Sequence, residues 1–250
     1  MIPPLLPSPD MRVAVLSDIH SNIVALEAVL AAAGDVDGVW HLGDNVGYGP
    51  DPNLAIARLK AVGATGVRGN HDAAAAGGPE IEWFNPDARR AMEWTRDAID
   101  GPTRAWLTAL PERLTAGTCQ LVHGSLREPI WEYVTSVPVA RANLALLETP
   151  IGLNGHTHIP VAFIEDDGRI EVVGPGDGST LELGGRRALL NPGSVGQPRD
   201  GDPRASFMIL DPDAGTASWH RVEYDIEAVQ AKMRLAGLPP SLVARLSLGL

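Results

Sequence analysis

Residues 12–44 read RVAVLSDIHSNIVALEAVLAAAGDVDGVWHLGD, and the fold is decided there. Arg12–Ser17 is a short apolar run that ends at Asp18 and His20, the pattern of a buried strand. From Asn22 to Ala33, Ile23, Leu26, Val29 and Leu30 recur at helical spacing, and Gly34 stops the run. Gly38–Leu42 reads as the next strand. Outward from this unit, Pro52–Val62 reads as a helix and Thr65–Arg68 as a third strand, so the alternation predicts α/β layering. Asn85 as cap and Pro86 in the first turn open a helix to Ile99, and Pro102–Leu110 forms another. After a strand at Cys119–His123 and a helix near Val139–Leu147, the pattern becomes mostly β. Short strands are expected at Val161–Ile164, Ile170–Val173, Thr180–Leu183, Ala188–Asn191, Ser206–Leu210 and Ser218–Val222. Tyr224–Ala236 and Leu238–Leu246 read as helices. Two sheets packed face to face, with helices outside, would bury both strand sets in one core. No shift in composition marks a linker, so residues 11–250 are expected to form a single domain with a helical C-terminal tail.

Charge and composition narrow the partners. Twenty Lys and Arg against 31 Asp and Glu give a formal charge of −11, which repels nucleic-acid backbones and anionic membranes. Bound divalent ions invert the local sign, so the acidic average does not exclude a phosphate site. Cys119 is the only cysteine, which rules out an intramolecular disulfide and an all-cysteine zinc site. Met1–Asp10 holds four prolines and no Lys or Arg, unlike a secretory signal. We read residues 1–10 as a flexible extension and expect a cytoplasmic protein that makes no use of a membrane.

Five short clusters carry the chemistry: Asp18-Ile19-His20, Gly43-Asp44, Gly69-Asn70-His71-Asp72, His123-Gly124 and Gly155-His156-Thr157-His158. Each follows a candidate strand, and ligands of open α/β sheets bind beyond the strand carboxyl ends. Residues two apart in an extended segment point to one side, so Asp18 with His20, and His156 with His158, would each aim two donors at one place. Imidazole, carboxylate and amide oxygen without thiolate suit Mn, Fe, Zn or Co, with Mn the expected choice. Seven donors crowd one cation, whereas two cations sharing a carboxylate accommodate them.

The ordered set D-x-H, G-D, G-N-H-D, H-G, G-H-T-H resembles the calcineurin-like metallophosphoesterase superfamily, in its prokaryotic phosphodiesterase-like subgroup. The resemblance implies a two-sheet β-sandwich flanked by helices, in four α-β-β-α layers. It implies one metal held by Asp18, His20 and His158, with Asp44 bridging to a second held by Asn70, His123 and His156. His71 would then bind the phosphoryl oxygen or protonate the leaving group, with Asp72 orienting its ring. The activity implied is in-line attack of a metal-activated water on a phosphodiester or a nucleotide-like phosphate, such as a dinucleoside polyphosphate. A phosphomonoesterase or protein phosphatase with the same centre is the nearest alternative. A non-catalytic scaffold fits less well because every donor position is filled, and the acidic charge counts against long nucleic acids. Many relatives carry an acidic residue three positions after the bridging aspartate, where this chain has Gly47.

The remaining candidates read as structural. His41 alternates away from the ligand side. Arg199 is expected on the surface of a turn, and Ser194 within it. Trp83, Trp94, Trp106 and Trp131 are expected to be core anchors. The stretch Leu238–Leu250 packs either on the body or on a second subunit.

Overall fold

In the first strand, β1 (Val13–Leu16), Val13 and Val15 face one hydrophobic cluster while Ala14 and Leu16 face another, since successive strand side chains point to opposite sheet faces. That alternation sets the layering of the computed structural model, which describes residues 11–212 and 214–250. The chain continues through α1 (Ile23–Ala33), β2 (Gly38–His41), α2 (Pro52–Ala61), β3 (Thr65–Gly66) and α3 (Asn70–Ala76). A 3₁₀ turn at Pro79–Trp83 leads to α4 (Pro86–Ala98), α5 (Gly101–Ala109), β4 (Arg113–Ala116), β5 (Cys119–Val122) and α6 (Val137–Leu144). Then follow β6 (Ile151–Leu153), β7 (Val161–Asp166), β8 (Arg169–Val173), β9 (Thr180–Glu182), β10 (Arg187–Asn191), β11 (Ala205–Asp211) and β12 (Thr216–Val222). Helices α7 (Ile226–Leu235) and α8 (Pro240–Arg245) close the chain.

One sheet runs β3-β2-β1-β11-β12-β9 and the other β4-β5-β6-β10-β7-β8. Strands β1, β2 and β3 are mutually parallel, as are β5, β6 and β10. β11 returns antiparallel to β1, with Val13 opposite Leu210, so late strands complete the early sheet. Between the sheets lie Val15, Trp40, Leu121, Leu153, Ile164, Leu190, Met208 and Trp219. The outer face of the first sheet is covered by α1, α2, α4 and α5 through Leu26, Val29, Ile56, Leu59, Met92 and Leu107. α6 covers the second sheet through Ala140 and Leu144, which meet Phe163 and Leu189. The expected four layers are present. α7 and α8 pack on the body, where Val229, Met233, Leu242 and Val243 meet Ala88 and Ala91 of α4.

Local chemistry explains the boundaries. The Asn22 side chain accepts from Ala25 N at 3.1 Å to start α1, and Asn85 accepts from Ala88 N at 3.0 Å to start α4. α3 is absent from the sequence reading because its alanine-rich turns are buried on all sides and show no amphipathic stripe. β4 was also missed, being a largely exposed edge strand. The reading of residues 1–10 as an extension lies outside the described residues. No helix among the described residues is long and apolar enough to cross a membrane.

Candidate metal centre

The parallel strands converge on one crevice. Asp18 and His20 follow β1, Asp44 follows β2 and Asn70 opens α3 beyond β3; His123 follows β5, and His156 and His158 follow β6. All seven, with His71 and Asp72, are at most 4% exposed. So many buried polar groups persist only when hydrogen-bonded or bound to a cation.

Each carboxylate has one oxygen tied down and one aimed inward. Asp18 Oδ2 accepts from Ser17 Oγ at 2.7 Å and His156 N at 3.0 Å, while Oδ1 is buried without a hydrogen-bond partner. That Oδ1 lies 3.3 Å from His158 Nε2 and 3.9 Å from His20 Nε2. Asp44 Oδ1 accepts from His71 N at 2.9 Å, and its Oδ2 lies 3.7 Å from His20 Nε2 and 3.4 Å from His123 Nε2. Asp44 Oδ2 is thus shared between two groups of donors. Gly69 crosses directly over this carboxylate, where a Cβ would collide with Oδ1.

The histidine tautomers supply the test of fit. His20 Nδ1 faces Val46 O at 3.2 Å, His158 Nδ1 faces Gln197 O at 2.5 Å and His123 Nδ1 faces Leu42 O at 2.8 Å. A neutral ring that donates from Nδ1 to a carbonyl leaves a bare lone pair on Nε2. His20 Nε2 and His158 Nε2 nevertheless sit 3.2 Å apart, with no proton for either to offer. On the other side, His156 Nε2 faces Trp131 O at 3.2 Å, which leaves Nδ1 bare and 3.0 Å from His123 Nε2. Asn70 Oδ1 joins them at 3.2 Å from His123 Nε2. Acceptors crowded together in this way fit a divalent cation, and the carbonyls behind the rings are the usual second shell of such ligands. Asp18, His20 and His158 form one group of donor atoms able to hold an ion; Asp44, His123 and His156 form another.

Charge tells the same story. Burial lowers His123, but the Asp44 carboxylate outweighs it and raises the ring to about 9. Burial opposes ionisation of Asp44, yet His123 and its fellow histidines hold that carboxyl well below the usual carboxylate range. Burial pushes Asp18 up to about 6 and holds His20, His156 and His158 well below their ordinary value. The proton on His123 is the one a bound cation would displace.

Backbone geometry corrects one expectation. Asp18, His20, Asp44, His156 and His158 all have positive φ, between 48° and 67°, so these segments are not extended. His156 and His158 serve different donor groups, as the resemblance implied, while Asp18 and His20 share one. Non-glycine residues in this region store roughly 1 kcal/mol or more each, a cost typical of sites built to aim side chains.

A second correction concerns Asp72. Its Oδ1 accepts from Asn45 N at 2.8 Å and Val46 N at 3.2 Å, its Oδ2 from Asn45 Nδ2 at 2.9 Å and Gly69 N at 3.1 Å. Near the start of α3, this side chain folds back on the helix terminus and ties it to the Asn45–Val46 loop, pointing away from its neighbour in sequence. His71 Nδ1 has no hydrogen-bond partner, so Asp72 does not orient that ring. Packing does: Phe84 stacks on it with centroids 4.5 Å apart, Tyr48 lies at 4.4 Å, and Gly47 leaves space where a Cβ would strike Nδ1. Burial lowers His71 to about 4, so the ring is neutral.

A model of the calcineurin-like phosphoesterase superfamily domain matches residues 11–215. The chain belongs to that superfamily. An uncharacterized protein of Methanocaldococcus jannaschii is 34% identical over 244 residues, 95% of this chain and 98% of that one. The crystal structure of a metallophosphoesterase from Sphaerobacter thermophilus matches with a TM-score of 0.89 at 46% identity, over 96% of this chain and 99% of that one. A hypothetical protein from Pyrococcus horikoshii OT3 shares the fold with a TM-score of 0.79 at 21% identity, over 96% and 98% of the two chains. As a calcineurin-like phosphoesterase, the chain is a hydrolase of phosphate esters whose chemistry depends on metal.

The phosphoesterase site opens into a cavity of ≈ 120 Å³ lined by Asp44, Asn70, His71, His156 and His158 on its floor. Its walls hold residues that the sequence reading assigned elsewhere. Arg199 lines the cavity, with its guanidinium 5.8 Å from the Tyr48 ring centroid, and is no ordinary surface arginine. Trp83 is 69% exposed at the rim, and Trp131 lines the wall beside it, so neither anchors the core. Trp40 and Trp219 fill that role. Ser194 is the turn residue expected: its Oγ donates to Asp18 O at 2.8 Å and accepts from Gln197 N at 2.9 Å.

His41 stands outside the donor groups, buried against Trp106 with neither ring nitrogen hydrogen-bonded. Burial lowers it to about 3. Below pH 6.5 the unfolded chain takes up a proton there that the folded chain refuses, so stability falls as pH drops from 6.5 towards 3. His41→Leu is expected to flatten that acid limb by roughly 3 kcal/mol between pH 6.5 and 4. Urea titrations of both proteins in chelator, across that range, check it. Parallel limbs would exclude His41 as a source of acid sensitivity.

Proposed function

We propose that the chain hydrolyses a small phosphodiester or nucleotide-like phosphate at two divalent cations, with manganese the expected metal. The observation that carries this reading is the sharing of Asp44 Oδ2 between His20 Nε2 at 3.7 Å and His123 Nε2 at 3.4 Å, each among further unprotonated donors. Asp18, His20 and His158 would hold one ion and Asn70, His123 and His156 the other, with Asp44 between them. Bound there, the pair supplies Lewis acidity that brings the pKa of a coordinated water from 15.7 towards about 7 and neutralises charge on the phosphoryl oxygens.

The chain's own groups do the rest. His71 is neutral and packed in place by Phe84 and Tyr48, with Nδ1 walled off by Gly47, so Nε2 is the nitrogen offered to the substrate. As a neutral ring it donates a hydrogen bond from there to a phosphoryl oxygen; to give a proton to the departing alkoxide it would have to enter the step as the imidazolium, which returns to the neutral ring. Among the described residues, Arg199 is the only basic side chain lining the cavity besides the histidines. A diester carries one negative charge fewer than a fully ionised monoester, and its second ester group finds apolar walls at Phe84, Trp131 and Tyr133. These features favour the diester. A cytoplasmic setting belongs to the same proposal and is supported by the lone, buried Cys119.

The test is turnover of bis(p-nitrophenyl) phosphate and p-nitrophenyl phosphate by the manganese-loaded protein. We expect kcat/KM for the diester to exceed that for the monoester. The reverse order would make the protein a phosphomonoesterase.

A further inference from the structure

Trp83 combines two properties rarely found together: it is the most exposed large aromatic side chain among the described residues, and it lines the cavity above the metal donors. Its ring sits on the 3₁₀ turn Pro79–Trp83, 5.0 Å from Trp131 and tilted 58° to it. Trp131 in turn meets the edge of Phe84 at 6.0 Å, and Phe84 stacks on His71. Tyr133, which also lines the cavity, stacks on His156, 3.9 Å away and nearly parallel. An aromatic wall therefore runs from the floor of the site to solvent, ending in an indole that is 69% exposed among the described residues.

We propose that Trp83, with Trp131, is a specificity-determining stacking subsite for a nucleobase carried by the phosphate ester. The inference rests on the phosphoesterase reading above and narrows its substrate to nucleoside esters. An indole presents a large, stiff π-face, and base–aromatic stacking tolerates any base because each has such a face. The floor of the cavity takes the phosphate, with Arg199 beside it, and the wall takes the base. A polymer would need a track of cations leading away from the site, and a chain of net charge −11 is poorly suited to one. The subsite thus fits a mononucleotide or dinucleotide.

Calorimetric titration of the manganese-loaded protein with AMP and with ribose 5-phosphate isolates the base, since the two share the sugar and phosphate. AMP is expected to bind roughly 10–100-fold more tightly, the usual worth of one stacked base. Trp83→Ala should remove most of that advantage, with ribose 5-phosphate binding variant and parent alike, and Trp83→Phe should restore part of it. Equal affinities for the two ligands in the parent, or loss of ribose 5-phosphate binding in Trp83→Ala, would overturn the subsite. So would sedimentation showing a dimer that Trp83→Ala dissociates, without any preference for AMP. Turnover of bis(p-nitrophenyl) phosphate in parallel separates the two readings. Activity without base preference removes only the subsite. No activity together with no binding of either phosphate removes both.

Discussion

Asp44→Asn is expected to leave the fold intact and abolish stabilisation by metal. The amide keeps the shape of the carboxylate, and its oxygen can still accept from His71 N, as Asp44 Oδ1 does at 2.9 Å. Its NH₂ would then occupy the place of Oδ2, pointing at His20 Nε2 and His123 Nε2. A hydrogen-bond donor would replace the one oxygen common to both donor groups. Loss of an outer-shell partner costs about 10–100-fold in metal affinity, so loss of this shared inner donor should exceed ~100-fold. The wild-type melting temperature should rise with manganese, by the equivalent of about 2.7 kcal/mol at a hundred times Kd. The variant should show no rise with manganese, even where loss of the Asp44–His123 pair lowers its melting temperature in chelator. An unchanged metal response would mean that Asp44 is not a ligand.

His71→Ala should keep its metal and lose roughly 10²–10⁴-fold in kcat, the range for removal of one acid–base group. The ring is stacked on Phe84 and seated on Gly47, so its removal leaves a local gap; His71→Gln fills it and serves as the second variant. Leaving-group dependence identifies the role. If His71 protonates the departing oxygen, p-nitrophenolate, which needs no proton, should suffer far less than an alkyl leaving group. If His71 stabilises phosphoryl charge, both should suffer alike, and glutamine should recover part of the loss. Elemental analysis of the purified variants reads the metal content. Wild-type turnover in both variants would remove His71 from the reaction.

Much of the architecture was legible because local and global signals agree. The Asn85 cap, the apolar face of α1 and the short apolar runs of β7 and β10 all show in the sequence and recur in the structure. α3 escaped because a helix buried on every side carries no periodic polar face. In the site, the five clusters could be listed from residue types and their position after strands. The expectation that His156 and His158 aim at one place assumed extended backbone, whereas both lie in the left-handed region; the resemblance had already set them in separate groups. The error on Asp72 came from adjacency in sequence: the carboxylate is spent on Asn45, Val46 and Gly69. Trp83 and Trp131 were misplaced because burial is the usual fate of tryptophan, and only long-range packing leaves these two at a rim.

By itself the sequence determined which atoms are available for catalysis and which elements carry them, since donor chemistry and periodicity are local properties. Only the tertiary structure decided which oxygen of Asp44 is shared, which nitrogen of each histidine is bare and which aromatic faces meet solvent. Those depend on carbonyls and rings brought together across 25 to 138 residues of chain, such as Trp131 behind His156 and His158 beside His20. No local pattern encodes a contact of that span.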